Sequence, residues 1–358
     1  MNRLPRCVRD IMELQVQKDP RAGRLNFLHN RRSGGSEELE ADLENTPFPQ
    51  QRFNKLEGGR TGRGVNGDDD FFFGGNRHWQ MMLGHMTVQA HAKVNLALHV
   101  LGKRTDGFHD IETLMVPISL ADEVEFIVED GVGVELICSM PGVPTGPDNL
   151  VCRAAEVFAR HTGLQFHLRA KLNKGIPHGA GLGGGSSDAG ATLRALDALL
   201  DTHCSTDRIV AMAAEIGSDV PFFVTETPAW CRGRGEQLTP APAMHRLPLF
   251  LIKPPFPVPT GEAYNGWTSN VLHQTQSVRN MEWRNDLEEP VFRKYLLLPA
   301  MKTWLTQQPE VEAAQMSGSG STIFSLLKSP AADLPERARR EFGEMCWTCL
   351  CETLESGG

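Results

Sequence analysis

Thirteen residues constrain this chain more than any others: Pro177-His-Gly179-Ala-Gly181-Leu182-Gly183-Gly184-Gly185-Ser186-Ser187-Asp188-Ala189. Five glycines within seven positions cannot sit inside a strand or a helix at low cost. Ala189, Leu193, Leu196 and Leu200 follow at helical spacing, so the pattern predicts a loop feeding a helix over 186–200, with Ser186 and Ser187 suited to cap it. Such a loop leaves backbone N–H groups open beside the positive end of a helix dipole, and serine hydroxyls add donors. That is a site for phosphate oxygens.

The kind of phosphate loop can be narrowed. A P-loop needs Gly-Lys followed by Ser or Thr, whereas Gly185 is followed by Ser-Ser-Asp. The dinucleotide fingerprint is matched literally by Gly179-Ala-Gly181-Leu-Gly183-Gly184, yet Leu172–His178 separates it from the preceding strand pattern, where the fingerprint should begin. A nicotinamide-dependent oxidoreductase is therefore a weak reading. A protein-kinase glycine loop requires His-Arg-Asp and Asp-Phe-Gly downstream, and neither occurs.

Around this loop the pattern alternates between strand and helix periods. Val88, Ala90, Ala92, Val94, Leu96, Leu98 and Val100 share one predicted strand face, while Lys93 and Asn95 project together from the other. Asp106-Gly107 predicts a hairpin turn into a second extended stretch ending at Ser119, with further strands at 123–128, 134–138 and 165–171. Helices are predicted over 150–161, ending at Gly163, and over 206–216, ending at Gly217. Strands and helices do not alternate one for one, which favours two α+β halves over a doubly wound sheet.

Composition enters at the N-terminus. Of the first 85 residues Gly supplies 11 and Ile, Leu and Val together only 12, too few apolar side chains for a core. The expected division is a leader over 1–85 that is disordered or not naturally translated, an N-terminal half over 86–240 and a C-terminal half over 241–358. The acids of 37–44 speak against a transit peptide, and no apolar run approaches the roughly 20 residues of a membrane span. A net charge of -8 is the wrong sign for a nucleic-acid or anionic-membrane binder. Eight irregularly spaced cysteines argue for a reducing, cytoplasmic setting rather than a disulfide framework, and Cys346, Cys349 and Cys351 lack the second pair of ligands that a zinc site needs.

The loop resembles the central motif of the GHMP kinase superfamily. Ala92-Lys93-Val94-Asn95-Leu96 resembles that superfamily's first motif and Met316-Ser-Gly318-Ser-Gly320-Ser321-Thr322 its third. Within it, Arg104-Thr-Asp106-Gly107-Phe108-His109 and Gly217-Ser-Asp219-Val-Pro221-Phe222-Phe223 are similar to the 4-diphosphocytidyl-2-C-methyl-D-erythritol kinase family, over about residues 88 to 328. The resemblance implies an α+β GHMP kinase fold, with ATP and substrate sites in the cleft between two halves. It implies transfer of the γ-phosphoryl of ATP to the 2-hydroxyl of 4-diphosphocytidyl-2-C-methyl-D-erythritol, in the non-mevalonate route to isoprenoid precursors.

By the same resemblance Asp219 is the general base and Lys93 its neighbour, and an ammonium beside a carboxylate favours the ionised form. Asn149 and Lys174 fall on the adenosine side, and Pro177, Gly179, Gly181, Leu182, Gly183, Gly184, Gly185, Ser186 and Ser187 form the phosphate loop. Asn95, Phe108, His109, Thr260 and Tyr264 fall on the substrate side: Phe108 and Tyr264 on opposite faces of the cytosine, His109 at its edge. Mg2+ is expected with ATP, without named protein ligands; the partner is a small molecule, with neither nucleic acid nor membrane. The alternatives are another GHMP small-alcohol kinase of homoserine or mevalonate type, or a nucleotide-binding module that has lost catalysis. On a plainer reading Asp219 is a helix cap, Lys93 a surface strand residue and Asn149 an ordinary cap.

Overall fold

The fold is organised by one long hairpin. In the computed structural model, which describes residues 82–268 and 283–355, strand β1 (Met82–Lys103) pairs antiparallel with β2 (His109–Glu129) from Met82 opposite Glu129 to Lys103 opposite His109. The turn closes at Asp106-Gly107 as its sequence predicts, with Asp106 Oδ1 accepting from the Phe108 amide at 3.1 Å. The two stretches expected on either side of Ser119 are one strand. β1 begins at Met82, so the last four residues of the expected leader are paired strand; residues 1–81 lie outside the described residues.

Along its second edge β2 carries β4 (His167–Asn173) at one end and β5 (Ala229–Gly233) at the other. β3 (Gly133–Cys138) joins β4 in parallel and β6 (Gln237–Pro240) joins β5, completing a six-stranded sheet. Four helices accompany it: α1 (Leu150–Thr162), α2 (Gly184–Leu199), α3 (Thr206–Ile216) and α4 (Val220–Thr225). An apolar core under α1 to α3 holds Phe126, Phe158, Leu168, Leu193 and Met212, each fully buried. At roughly 1.5–3 kcal/mol for each large apolar side chain taken out of water, this burial is the main stabilising term of that half.

The second sheet is antiparallel, in the order β10-β7-β9-β8: β7 (Pro248–Lys253), β8 (Val311–Met316), β9 (Ile323–Leu327) and β10 (Trp347–Glu352). Helices α5 (Thr260–Asn265), α6 (Glu288–Lys294), α7 (Leu297–Thr306) and α8 (Leu334–Phe342) accompany it. The terminal cysteines lie in and beside β10, and all seven cysteines among the described residues are free thiols.

β1 departs from simple alternation. A register shift between Asn95 and Ala97 puts two β1 steps against one of β2, and a bulge of this kind exchanges the faces of everything beyond it. Val94, Leu96 and Ala97 therefore join the core between the sheets with Trp230, Leu251 and Phe324. Leu98 and Val100, expected on that same face, instead join the core of the second sheet with Phe250, Met301 and Leu305. From Ala92 to Val100 every residue of β1 is buried, so Lys93 (3% exposed) and Asn95 (1%) are buried and Lys93 is no surface residue.

Helix α2 also starts differently from expectation. It begins at Gly184, and its N-cap is Gly183 in the left-handed region at φ 74°, with no side-chain cap. Ser186 and Ser187 lie inside the first turn rather than capping it. The Ser187 hydroxyl instead donates to the His91 carbonyl at 2.7 Å, fastening the helix start to β1.

Candidate active site

A cleft of about 410 Å³ opens where β1, the 177–186 loop and the 316–322 turn meet. Lys93, Asn95, Asn149, Lys174, Asp188, Asp219, Thr260 and Tyr264 all line it. The loop is laced to its neighbours by backbone bonds: Lys93 N donates to Leu182 O at 3.0 Å, and Thr322 N to Ala180 O at 3.2 Å. The Ser317 hydroxyl donates to Gly181 O at 3.0 Å.

These contacts explain two of the glycines. A Cβ on Gly181 would stand 2.2 Å from Ser317 O, and one on Gly183 would stand 2.6 Å from the Phe223 ring; both residues have φ 74°. A side chain is excluded at those positions by protein packing as well as by any ligand, a constraint that the sequence pattern does not separate from phosphate binding. What remains open to the cleft is the start of α2, where the helix supplies no acceptor for the amides of Gly184, Gly185 and Ser186.

Lys93 is held by a relay. Its Nζ donates to Asn95 Oδ1 at 2.5 Å, Asn95 Nδ2 donates to Thr113 Oγ1 at 2.8 Å, and Thr113 Oγ1 donates to Ala97 O at 2.6 Å. Burial pushes the Lys93 ammonium below its ordinary range, opposed by the charge of Asp219. Nζ lies 3.9 Å from Asp219 Oδ2, an ion pair without a hydrogen bond. Asp219 precedes α4, but its side chain makes no cap hydrogen bond. A one-third-exposed carboxylate at the cleft is thus left available to accept a proton.

The two residues expected on the adenosine side are more occupied than their sequence position suggests. Asn149 caps α1, accepting from Val151 N at 2.9 Å and donating to Pro144 O at 2.7 Å. Lys174 Nζ binds Asp122 Oδ2 and, at 2.9 Å, Asp188 Oδ2; the three side chains are each at most 5% exposed. Burial, and then the neighbouring Asp122, push the Asp188 carboxyl up to about 7, against the opposing charge of Lys174. Asp122 Oδ1 also takes the amides of Gly175 and Ile176, at 2.7 and 2.8 Å, so the triad supports the loop from beneath. Among the described residues no three His, Cys, Asp or Glu side chains form a metal cage. Asp188 Oδ1, however, is buried without a hydrogen-bond partner, a hard oxygen of the kind magnesium takes.

On the other side, His109 and Tyr264 stack on one another, ring centres 5.3 Å apart and planes at 28°, with Trp267 edge-on to His109 at 5.9 Å. A base does not fit between rings at that separation. Phe108, half exposed, is not part of this pair. Burial, and then the positive charge of Lys103, hold the His109 imidazolium below its ordinary range, which favours the neutral ring. Thr260 Oγ1 lies 3.1 Å from Ser319 Oγ and ties α5 to the 316–322 turn.

Sequence reasoning missed Asn285, whose amide donates to Met316 O at 2.8 Å and Gly318 O at 2.7 Å and so shapes that turn. It also missed Thr113, Asp122 and Gly235; a Cβ on Gly235 would stand 3.6 Å from Asp219 Oδ1. Only the glycines of 233–236 gave a local signal for any of them.

Comparison with known proteins shows the fold and the family. The family described as GHMP kinases N terminal domain matches residues 149–227, and GHMP kinases C terminal matches 275–344. Crystal structures of a homoserine kinase from Cytophaga hutchinsonii (18% identical, 78% of this chain and 98% of that one, TM-score 0.56) and of an L. major mevalonate kinase (14%, 76% and 97%, TM-score 0.55) share the fold. Two sheets, a glycine loop opening a helix and the cleft between them define a kinase of the GHMP class. A 4-diphosphocytidyl-2-C-methyl-D-erythritol kinase of Methylacidiphilum infernorum is 42% identical over 276 residues, 74% of this chain and 96% of that protein. The crystal structure of a 4-(cytidine 5'-diphospho)-2C-methyl-D-erythritol kinase matches 76% of this chain and 100% of that one, at 34% identity and a TM-score of 0.61. The chain belongs to the 4-diphosphocytidyl-2-C-methyl-D-erythritol kinase family.

Proposed function

We infer that this chain transfers the γ-phosphoryl of ATP to the 2-hydroxyl of 4-diphosphocytidyl-2-C-methyl-D-erythritol. The observation that carries the reaction is the Lys93–Asp219 pair at the cleft, 3.9 Å apart and beside the open start of α2. Asp219 accepts the hydroxyl proton as the oxygen attacks phosphorus. Lys93, fixed by Asn95 and Thr113, sets an ammonium beside the carboxylate and offsets the charge developing on the phosphoryl oxygens.

The amides of Gly184, Gly185 and Ser186 and the Ser186 hydroxyl receive the nucleotide phosphates. Lys174 spends two of its three donors on carboxylates, leaving one for the nucleotide. Magnesium bound with ATP supplies charge neutralisation to the phosphate oxygens, and Asp188 is the residue here that would hold it. On the substrate side Phe108 offers a face to the cytosine. His109, held toward the neutral ring, offers one ring nitrogen as donor or acceptor to the edge of the base. Tyr264 braces His109.

The test is a coupled assay of ATP consumption by the purified protein with the cytidylyl alcohol, mevalonate or homoserine. Turnover with the first alone is the expected result; equal or better turnover of another alcohol overturns the substrate assignment. No ATP-dependent turnover with any of them would make the chain a binding module.

A further inference from the structure

We propose that Arg234 is a substrate-positioning residue that acts through Phe108: its guanidinium backs one face of the ring, so the opposite face is presented to the cytosine in a fixed orientation. The inference rests on the reading that Phe108 stacks on the base. Arg234 stands in the short turn between β5 and β6, and its Cζ lies 4.9 Å from the centre of the Phe108 ring. Phe108 needs such a support. It follows the hairpin turn, is 50% exposed and belongs to none of the apolar cores, so its backbone is fixed by Asp106 while its ring has little to hold it.

The support is itself anchored. Arg234 N donates to Glu236 Oε2 at 2.7 Å, and the same oxygen lies 3.9 Å from Arg234 Nε. Gly235 N closes the turn onto Arg232 O at 3.0 Å, and Gly233 is in register with Ile111 on β2. The neighbouring Gly235 is near enough to Asp219 that a Cβ there would stand 3.6 Å from its Oδ1. Two consecutive residues of one turn therefore stand beside the ring assigned to the base and beside the carboxylate assigned to proton transfer. A flat, delocalised guanidinium suits this better than an ammonium, because it can lie along a ring face while its Nε edge stays beside the Glu236 carboxylate.

The test compares steady-state kinetics of Arg234→Ala, Phe108→Ala and the double variant, with cytidine and cytidine diphosphate as competitive inhibitors. Arg234→Ala should raise KM for the cytidylyl substrate about two- to fivefold, the worth of one exposed cation–π contact, with kcat and the KM for ATP little moved. Both inhibition constants should rise by the same factor, and Arg234→Ala should add nothing once Phe108 is alanine. Weakened cytidine diphosphate with unchanged cytidine would mean direct contact with the diphosphate and overturn the proposal, as would additive effects in the double variant or an equal loss for ATP. If Phe108→Ala is costly and Arg234→Ala silent, the inference alone fails. If Phe108→Ala is itself silent, the base-stacking reading fails first.

Discussion

Lys93 and Asp219 can be separated from their structural surroundings because neither is the keystone of a core. Asp219→Asn keeps the shape and removes the proton acceptor, so turnover should fall by orders of magnitude while the melting temperature stays within a few degrees. Lys93→Ala should cut turnover comparably, but it also leaves Asn95 Oδ1 without its donor in a buried place, so a stability loss of about 1–3 kcal/mol should accompany it. Near-normal kcat in either variant removes that residue from the chemistry. Asp188 gives a pH test. Its carboxyl titrates higher in the folded chain, about 7, than in the unfolded chain, so between the two values the folded state binds the extra proton. Its contribution to stability therefore falls as pH rises through that window. Asp188→Asn lacks the titration: melting temperatures measured from pH 5 to pH 8 should show the native chain losing ground to the variant as pH rises. A difference independent of pH would mean that Asp188 does not titrate there.

At the scale of elements, the hairpin turn, the ends of α1 and α3 and the loop-to-helix passage at 177–189 were legible because each is written in neighbouring residues: Asp106-Gly107, Gly163, Gly217, the glycine run. The bulge at Asn95–Ala97 was not, since it is chosen by what lies on either side of β1, and Leu98 and Val100 read equally well on the wrong face. The serine pair misled for a similar reason, because the acceptor of Ser187 is a carbonyl 96 residues away. Lys93, Asn95 and Asp219 are singled out by motif, whereas Asn285 and Arg234 carry no local pattern and show their neighbours only once the chain is folded. The lacing of the two glycine turns makes a further prediction. Gly181→Ala would set a Cβ against Ser317 O and strain a left-handed residue, which should cost about 2–4 kcal/mol, read from denaturant midpoints. Gly183→Val should likewise lower stability as well as nucleotide affinity, because its side chain meets Phe223 and Lys93. If affinity for ATP alone changes, the contact with Phe223 yields more easily than the geometry implies.

For the whole molecule, the residues that line the cleft lie between 93 and 320, and both sheets lie between 82 and 352. A chain begun at Met82 should therefore match the full-length protein in kcat, KM and melting temperature. One begun at Met86 loses the pairs of Met82, Gly84 and His85 with β2, including the 2.8 Å contact of His85 with Glu125, and should melt a few degrees lower. Loss of activity in the Met82 chain would show that the first 81 residues contribute to the kinase.

β1 threads three apolar cores in succession: Ala90 in the first, Val94 and Leu96 in the one between the sheets, Leu98 and Val100 in that of the second sheet. Neither half can melt without pulling this strand out of the other's packing, so architecture in two parts does not mean two independent transitions. Slow amide exchange in the middle of β1 should track global opening. A nucleotide seated at α2 should slow exchange as far away as α7, through a strand that touches no ligand beyond Lys93 and Asn95.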